Sequence, residues 1–327
     1  MNKKYLFLFG ALTLLFIGVG FLSYHFLFGA PDITARAEQL TIPLGTSESD
    51  IIQKLYDQGF IRSKLGFQLV LDVKHENGMI QPGGYEIPAG TSAWGAADTL
   101  KVGPALVWVV VPEGLRKEEI GALLAKALLW TDTQKTEWTN VDTVTPADYF
   151  EGVYFPDTYL MPASTTPADA AKRMQDQFQS SFASDAKAAV AQNIKWTTLL
   201  KIASLVQREA AGPTDMPLVA GIIWNRLLQN MRLQLDSTVQ YARGDTATGW
   251  WAPVSAADIK NIDSPYNTYE HNGLPPTPID NPGLDAIHAA LYPASTTCLY
   301  YLHDANGQIH CADTFAEHQA NIAKYLQ

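Results

Sequence analysis

The first hydrophobic feature of the chain is an unbroken apolar run. Residues Tyr5 to Phe28 read YLFLFGALTLLFIGVGFLSYHFLF and carry no formal charge once His25 is neutral. A helix needs about 20 apolar residues to cross the hydrocarbon core, so the run predicts a membrane-spanning helix. The alternative is a cleavable signal peptide, whose apolar stretch is about 7–15 residues and ends in small residues. Gly29-Ala30 fits such an end, but the length of the run and Pro31 directly after it favour an uncleaved anchor. Lys3 and Lys4 precede it, and the positive-inside tendency keeps them cytoplasmic. The expectation is a single-pass protein of the cytoplasmic (inner) membrane. Residues 1–4 form an inner tail, 5–28 the span, and the rest lies outside, in the periplasm.

Beyond the run, apolar positions recur at helical or alternating spacing. Leu40–Ile42 reads as a short strand. Thr46 and Ser47 are caps for a helix carrying Ile51, Ile52, Leu55 and Tyr56 on one face. Gly59 closes that helix and another begins at Ser63. A strand near Tyr85–Ile87, a glycine turn and a short helix repeat the theme. Ala105–Val111 is a β-branched run, and Leu115–Leu129 has helical spacing. From Thr145 the chain turns aromatic, and Pro167 opens a long amphipathic helix through Val190. Further helices start near Trp196 and Met216. Beyond Met231 the chain is loop-rich, with five prolines between Pro265 and Pro282, followed by a helix at Leu284–Tyr292, a terminal hairpin and a last helix. Helices alternating with short strands and long ordered loops predict an α+β body.

The segment richest in chemistry is TTLLKIASLVQREAAGP. Leu199, Ile202, Leu205 and Val206 mark its apolar stripe, and Glu209 continues that stripe to the helix end at Gly212-Pro213. A carboxylate there faces the negative pole of the helix dipole, and burial works in the same direction. Both favour a protonated carboxyl, the form a general acid for glycoside cleavage requires. An ion pair of Glu209 with Arg208, Arg226 or Arg243 is the competing reading.

Composition narrows the field. Lysine and arginine total 23 against 33 acidic residues, a net charge of −10. Without Lys3 and Lys4 the remainder stands at −12, which makes nucleic acid a poor partner. Two cysteines exclude a disulfide-rich scaffold and a four-cysteine zinc site. Cys298 and Cys311 flank an Asn306-Gly307 turn. A two-residue turn there sets Cys311 opposite Leu302, four residues from Cys298, so two unpaired thiols are expected. No metal or cofactor motif is present.

The segments IASLVQREA, NRLLQNMRLQLDSTVQYARG, SPYNTYEHNGLPPTPIDNPG and FEGVYFPDTY resemble the endolytic murein transglycosylase, or YceG-like, family. The resemblance runs from about residue 38 to the end and is strongest at 149–160 and 198–283. It implies a small LysM-like α/β subdomain at 36–104 and a larger α+β lytic transglycosylase catalytic domain at 105–327. The strand–turn–helix recurrence before residue 104 itself resembles the LysM unit; a structural spacer fits it equally. The resemblance also implies endolytic cleavage of peptidoglycan glycan strands, the ending of strand growth beside membrane-bound synthases, and Glu209 as the catalytic acid. Gln207 stands where some members carry another acid, Ser237 where proline is common, and Thr277 where glycine is common.

Around Glu209, the expected substrate-binding residues are Tyr154, Asp157, Gln234, Asp236, Tyr266, Asn267 and Tyr269. Structural alternatives stand beside several of these positions: core packing for Tyr154, Phe155 and Tyr159, a turn cap for Asp157, a loop anchor for Asp236. Gln234 and Asp236 are read as alternate residues of an extended segment. Glu151, Asp157 or Asp236 would serve as second carboxylate in a hydrolase. His318, spaced with Phe315, reads as a packed histidine.

Overall fold

The computed structural model describes residues 3–31, 39–144 and 151–326. Residues 145–150, which include the first residue of FEGVYFPDTY, and the inner-tail residues 1–2 lie outside that range. The chain forms two compact units, one of residues up to Val109 with 159–164, the other of Val110–Thr158 with Thr165 onward.

The first unit begins with α1 (Lys3–Phe28), whose stretch Phe7–Phe28 is long and apolar enough to cross a membrane and is not buried in the protein. Then come β1 (Gln39–Ile42), α2 (Glu48–Asp57), α3 (Lys64–Lys74), β2 (Gly83–Glu86), α4 (Ala93–Val102) and β3 (Leu106–Val110). Of the two expected caps, Ser47 accepts a bond from Asp50 N–H, whereas the Thr46 hydroxyl donates to the Pro43 carbonyl; Ser63, where the next helix was expected to start, accepts from Gly66 N–H. Strands β1 and β2 are antiparallel, with Leu40 opposite Tyr85, and with a later strand, β4 (Thr158–Pro162), the sheet order is β1-β2-β3-β4. Leu40, Ile42, Leu55, Phe67, Tyr85 and Leu100 fill the core beneath it. Tyr56, expected on the buried face, is instead 45% exposed.

The second unit holds α5 (Lys117–Ala127), α6 (Asp132–Glu137) and a π-helical turn at Trp138–Asp142; the chain then supplies β4 (Thr158–Pro162) to the sheet. The turn seats Trp138, fully buried, with its indole N–H on the Lys117 carbonyl. Helices α7 (Pro167–Ala191), α8 (Trp196–Glu209) and α9 (Met216–Leu228) follow close to their expected bounds. The loop-rich stretch after Met231 also carries two short helices. It contains α10 (Asp236–Arg243) and α11 (Ala256–Asn261) before α12 (Leu284–Leu291), strands β5 (Tyr300–His303) and β6 (Ile309–Ala312), and α13 (Phe315–Tyr325). Helix α8 packs against α7, α9, α10 and α12, with Leu199, Ile202, Leu205 and Val206 fully buried.

The cysteine expectation fails. Cys298 and Cys311 form a disulfide, their Cα atoms 5.8 Å apart. The Asp304 carboxylate accepts from the N–H groups of Asn306 and Gln308 at 2.8 and 3.0 Å. That side-chain turn widens the connection and slips the register by one, so Tyr301 rather than Leu302 faces Cys311.

Candidate active site

Glu209 is the last residue of α8, and Ala210 after it is extended. The following turn is fixed by Asp215, whose carboxylate accepts from Ala211 N–H and Gly212 N–H, each at 3.0 Å. His303 Nε2 contacts the same carboxylate at 2.6 Å. These bonds outweigh burial and hold the Asp215 carboxyl below its ordinary range. Tyr301 and His303 are two apart on β5 and so leave one face of the strand together. One reaches Glu209, the other the turn behind it.

The Glu209 carboxylate is half-buried and receives two hydroxyls. Ser237 Oγ donates to Oε1 and Tyr301 Oη to Oε2, both at 2.6 Å. Burial, reinforced by the Glu209 charge, pushes the Tyr301 phenol well above its ordinary pKa, so it remains a donor. The competing ion pair is absent: among the described residues no cation pairs with Glu209. Arg208 lies over the Trp251 ring at 3.9 Å, Arg243 pairs with Asp258, and Arg226 donates to the carbonyls of Leu299, Arg232 and Leu233.

Glu209 opens on a pocket of about 340 Å³, within the size of small-ligand sites, roughly 300–1,000 Å³. Asp236 and Tyr269 share its acidic end, joined by a Tyr269 Oη to Asp236 Oδ1 bond of 2.7 Å. Ile222, Leu233 and Leu235 give apolar lining, and Arg226, Tyr300, Phe315 and His318 form another part of the wall. His318 stacks on Tyr300, and burial holds its imidazole below the ordinary pKa.

Of the expected binding residues, the pocket brings Gln234, Asp236 and Tyr269 to Glu209. The first two do not share an extended segment. Gln234 is in the left-handed region at φ 54°, and Asp236 opens α10. The others fall outside the pocket lining. Tyr154 is 1% exposed and packs on Trp138. Asp157 bonds Thr158 N–H and Gln177, the local anchoring its turn position suggested. Tyr266 contacts Thr277 Oγ1, and fully buried Asn267 donates to the carbonyls of Ile259 and Ile262. Gln207 accepts from Gly283 N–H. Glu151 is wholly buried, its Oε1 bonded to Lys117 N–H and Asn281 Nδ2. Burial, with Glu118 repulsion, pushes it to about 8.

Sequence reasoning missed Tyr301, because the slipped hairpin register was not readable, and gave Ser237 only as a departure from a family pattern. The alternation Tyr301–Leu302–His303 was the available signal.

The site thus presents one carboxyl with no cation partner among the described residues, steadied by two hydroxyls at the edge of a mixed polar and aromatic pocket. The chain belongs to the YceG-like family, whose model matches residues 40–324. A Bacillus subtilis protein named endolytic murein transglycosylase is 31% identical over 312 residues, covering 88% of this chain and 84% of the relative. A Streptococcus pneumoniae protein of the same name is 28% identical over 318 residues; the match covers 87% of this chain and 58% of that longer relative. A crystal structure of a yceG-like protein from Listeria monocytogenes superposes with a TM-score of 0.60 at 26% identity, covering 86% of this chain and 98% of that one.

Proposed function

We propose that this chain is an endolytic peptidoglycan lytic transglycosylase. It cleaves the β-1,4 bond between N-acetylmuramic acid and N-acetylglucosamine within glycan strands and leaves 1,6-anhydro ends. The observation that carries the reading is the Glu209 carboxyl, bracketed by Ser237 and Tyr301 at a pocket and free of any cation partner among the described residues. The names of its relatives supply the substrate class.

In this mechanism protonated Glu209 donates its proton to the glycosidic oxygen, and the C1–O bond breaks toward an oxocarbenium-like C1. The carboxylate then takes the proton of the muramoyl C6 hydroxyl as O6 bonds to C1. No second carboxylate or water is consumed. The nucleophile is already attached to the substrate, an advantage of up to about 10⁵–10⁸ M in effective concentration. Tyr301 stays a donor to Oε2, whereas the Ser237 hydroxyl can rotate between donor and acceptor. The travelling proton therefore belongs on Oε1.

The first unit serves as a LysM-like glycan-holding module, and 105–327 as the catalytic domain. The disulfide suits an oxidising compartment and supports a periplasmic catalytic domain with the N-terminus inside. There the enzyme would end strand elongation beside membrane-bound synthases. Asp236, in the same pocket, supports a second reading as a two-carboxylate muramidase.

Mass spectrometry of products from purified glycan strands tests all of this. Anhydro ends, lighter than reducing ends by one water, and their loss in Glu209→Gln are expected. Reducing ends would establish the muramidase reading, and equal products from the variant would overturn both.

A further inference from the structure

Helix α3 buries Gly66, Phe67, Val70 and Leu71 but leaves a second apolar stripe uncovered. Leu65, Leu69 and Val73, spaced at four residues, are 64%, 40% and 65% exposed. Three large aliphatic side chains in line on an open helix face call for a partner.

The other end of the argument is the end of α1. This helix packs against α3 and α4 within the first unit. Phe28 sits on the unit's core, its ring 5.9 Å from that of Trp94. Gly66 faces α1 so closely that a Cβ there would collide with the Leu27 carbonyl. The preceding side chains of α1 from Phe7 to Phe26 are exposed, so the span leaves the unit on the side that Gly66 faces. At 100° per residue, Val73 points about 20° and Leu69 about 60° from the direction of Gly66. Val73 lies only about 10 Å along α3 from Gly66. The Leu69–Val73 part of the stripe therefore lies on the side of α3 that faces the end of α1. Asp72 beside the stripe is engaged by Gln68 and Asn77.

We infer that the Leu65–Leu69–Val73 face of α3 lies in the lipid headgroup and acyl boundary of the membrane that α1 spans. Helix α3 acts as an interfacial amphipathic helix of the kind that buries its apolar side roughly 5–10 Å into that boundary. The inference rests on α1 being an uncleaved span.

The test places the full chain in nanodiscs of phosphatidylethanolamine and phosphatidylglycerol. A single introduced cysteine carries an environment-sensitive fluorophore; Cys298 and Cys311 are already paired. With the label at Leu69→Cys, lipids bearing a nitroxide high on the acyl chain should quench the emission about twofold or more, the label lying within the boundary layer. A label at Val102→Cys, 88% exposed at the far end of α4 from Trp94, should stay solvent-like. Solvent-like, unquenched emission from Leu69→Cys overturns the proposal. So does blue-shifted emission that lipid nitroxides leave untouched, since protein, including a second copy of this chain, would then cover the face. A label at Ile17→Cys reports the span separately. If it is quenched from mid-bilayer while Leu69→Cys is not, only the surface contact fails. If neither is quenched, the anchor reading fails and the surface contact with it.

Discussion

Tyr301 donates its hydroxyl to Oε2 of Glu209 at 2.6 Å while standing directly across the β5–β6 ladder from Cys311. The strand that orients the acid is thus the strand the disulfide holds in register. Removing the hydroxyl in Tyr301→Phe leaves the ring to pack and takes one bond from the carboxyl. A hydrogen bond to a charged group is worth about 1.5–3 kcal/mol, so kcat should fall roughly 10–100-fold with KM little changed. Steady-state kinetics on glycan strands measure this, and a fall confined to KM would remove Tyr301 from the mechanism.

Ser237 holds the other oxygen. In Ser237→Ala the hydroxyl is lost from a buried site at the start of α10, where little else changes. A drop of about 5–10-fold in kcat, corresponding to about 1–1.5 kcal/mol, is expected, with the alkaline limb of the pH–rate profile, where a general acid is lost by ionisation, displaced. Ser237→Thr should restore most of the rate. An unchanged profile in the alanine variant would mean that Tyr301 alone orients Glu209.

Cys298→Ser should weaken both folding and catalysis. Closing a loop of 13 residues' separation stabilises by about 3 kcal/mol in the chain-entropy view. Thermal unfolding should therefore come several degrees earlier, and the rate should fall because Tyr301 is less firmly held. Treatment of the wild type with a thiol reductant should reproduce both effects, while the serine variant should not respond.

Glu151 predicts how stability depends on pH. Its ordinary pKa is 4.5, and in the folded chain it rises to about 8. Between those values the folded state keeps a proton that the unfolded state has released, so stability declines as pH increases. Above about 8 the full cost of a buried charge is present. Glu151→Gln should flatten this decline, gaining roughly 2–4 kcal/mol over wild type at high pH relative to low pH. Urea unfolding at pH 5 and pH 8.5 checks it, and parallel curves for the two proteins would refute it.

Much of the framework was legible because it depends on local rules. Ser47 and Ser63 cap their helices, Pro167 opens α7, and the stripe of α8 carries Glu209 to its end. What escaped depended on contacts between distant segments. The Asp304 side chain resets the hairpin against the Asn306-Gly307 signal, which hid Tyr301, and the disulfide escaped because Cys298 lies before β5, outside the regular ladder. Helix α10 begins at Asp236 only because Leu235 N–H and Gln234 N–H are taken by Thr268, a partner remote in sequence. Tyr266 and Asn267 have the polar tips of a sugar site, yet spend them inside the protein on Thr277, Ile259 and Ile262. Residue type indicated capacity to bond; only the fold decided with whom.

The close seat of Leu27 on Gly66 has one more consequence. A module hung from its anchor by a slack leash would sample a wide range of heights above the lipid. Here the final turn of α1 is part of the first unit's own packing, so with α1 in a bilayer the unit would ride at a fixed standoff, like a foot rather than a tethered float. Under the proposed function, a glycan held by that unit would stay at one altitude above the lipid.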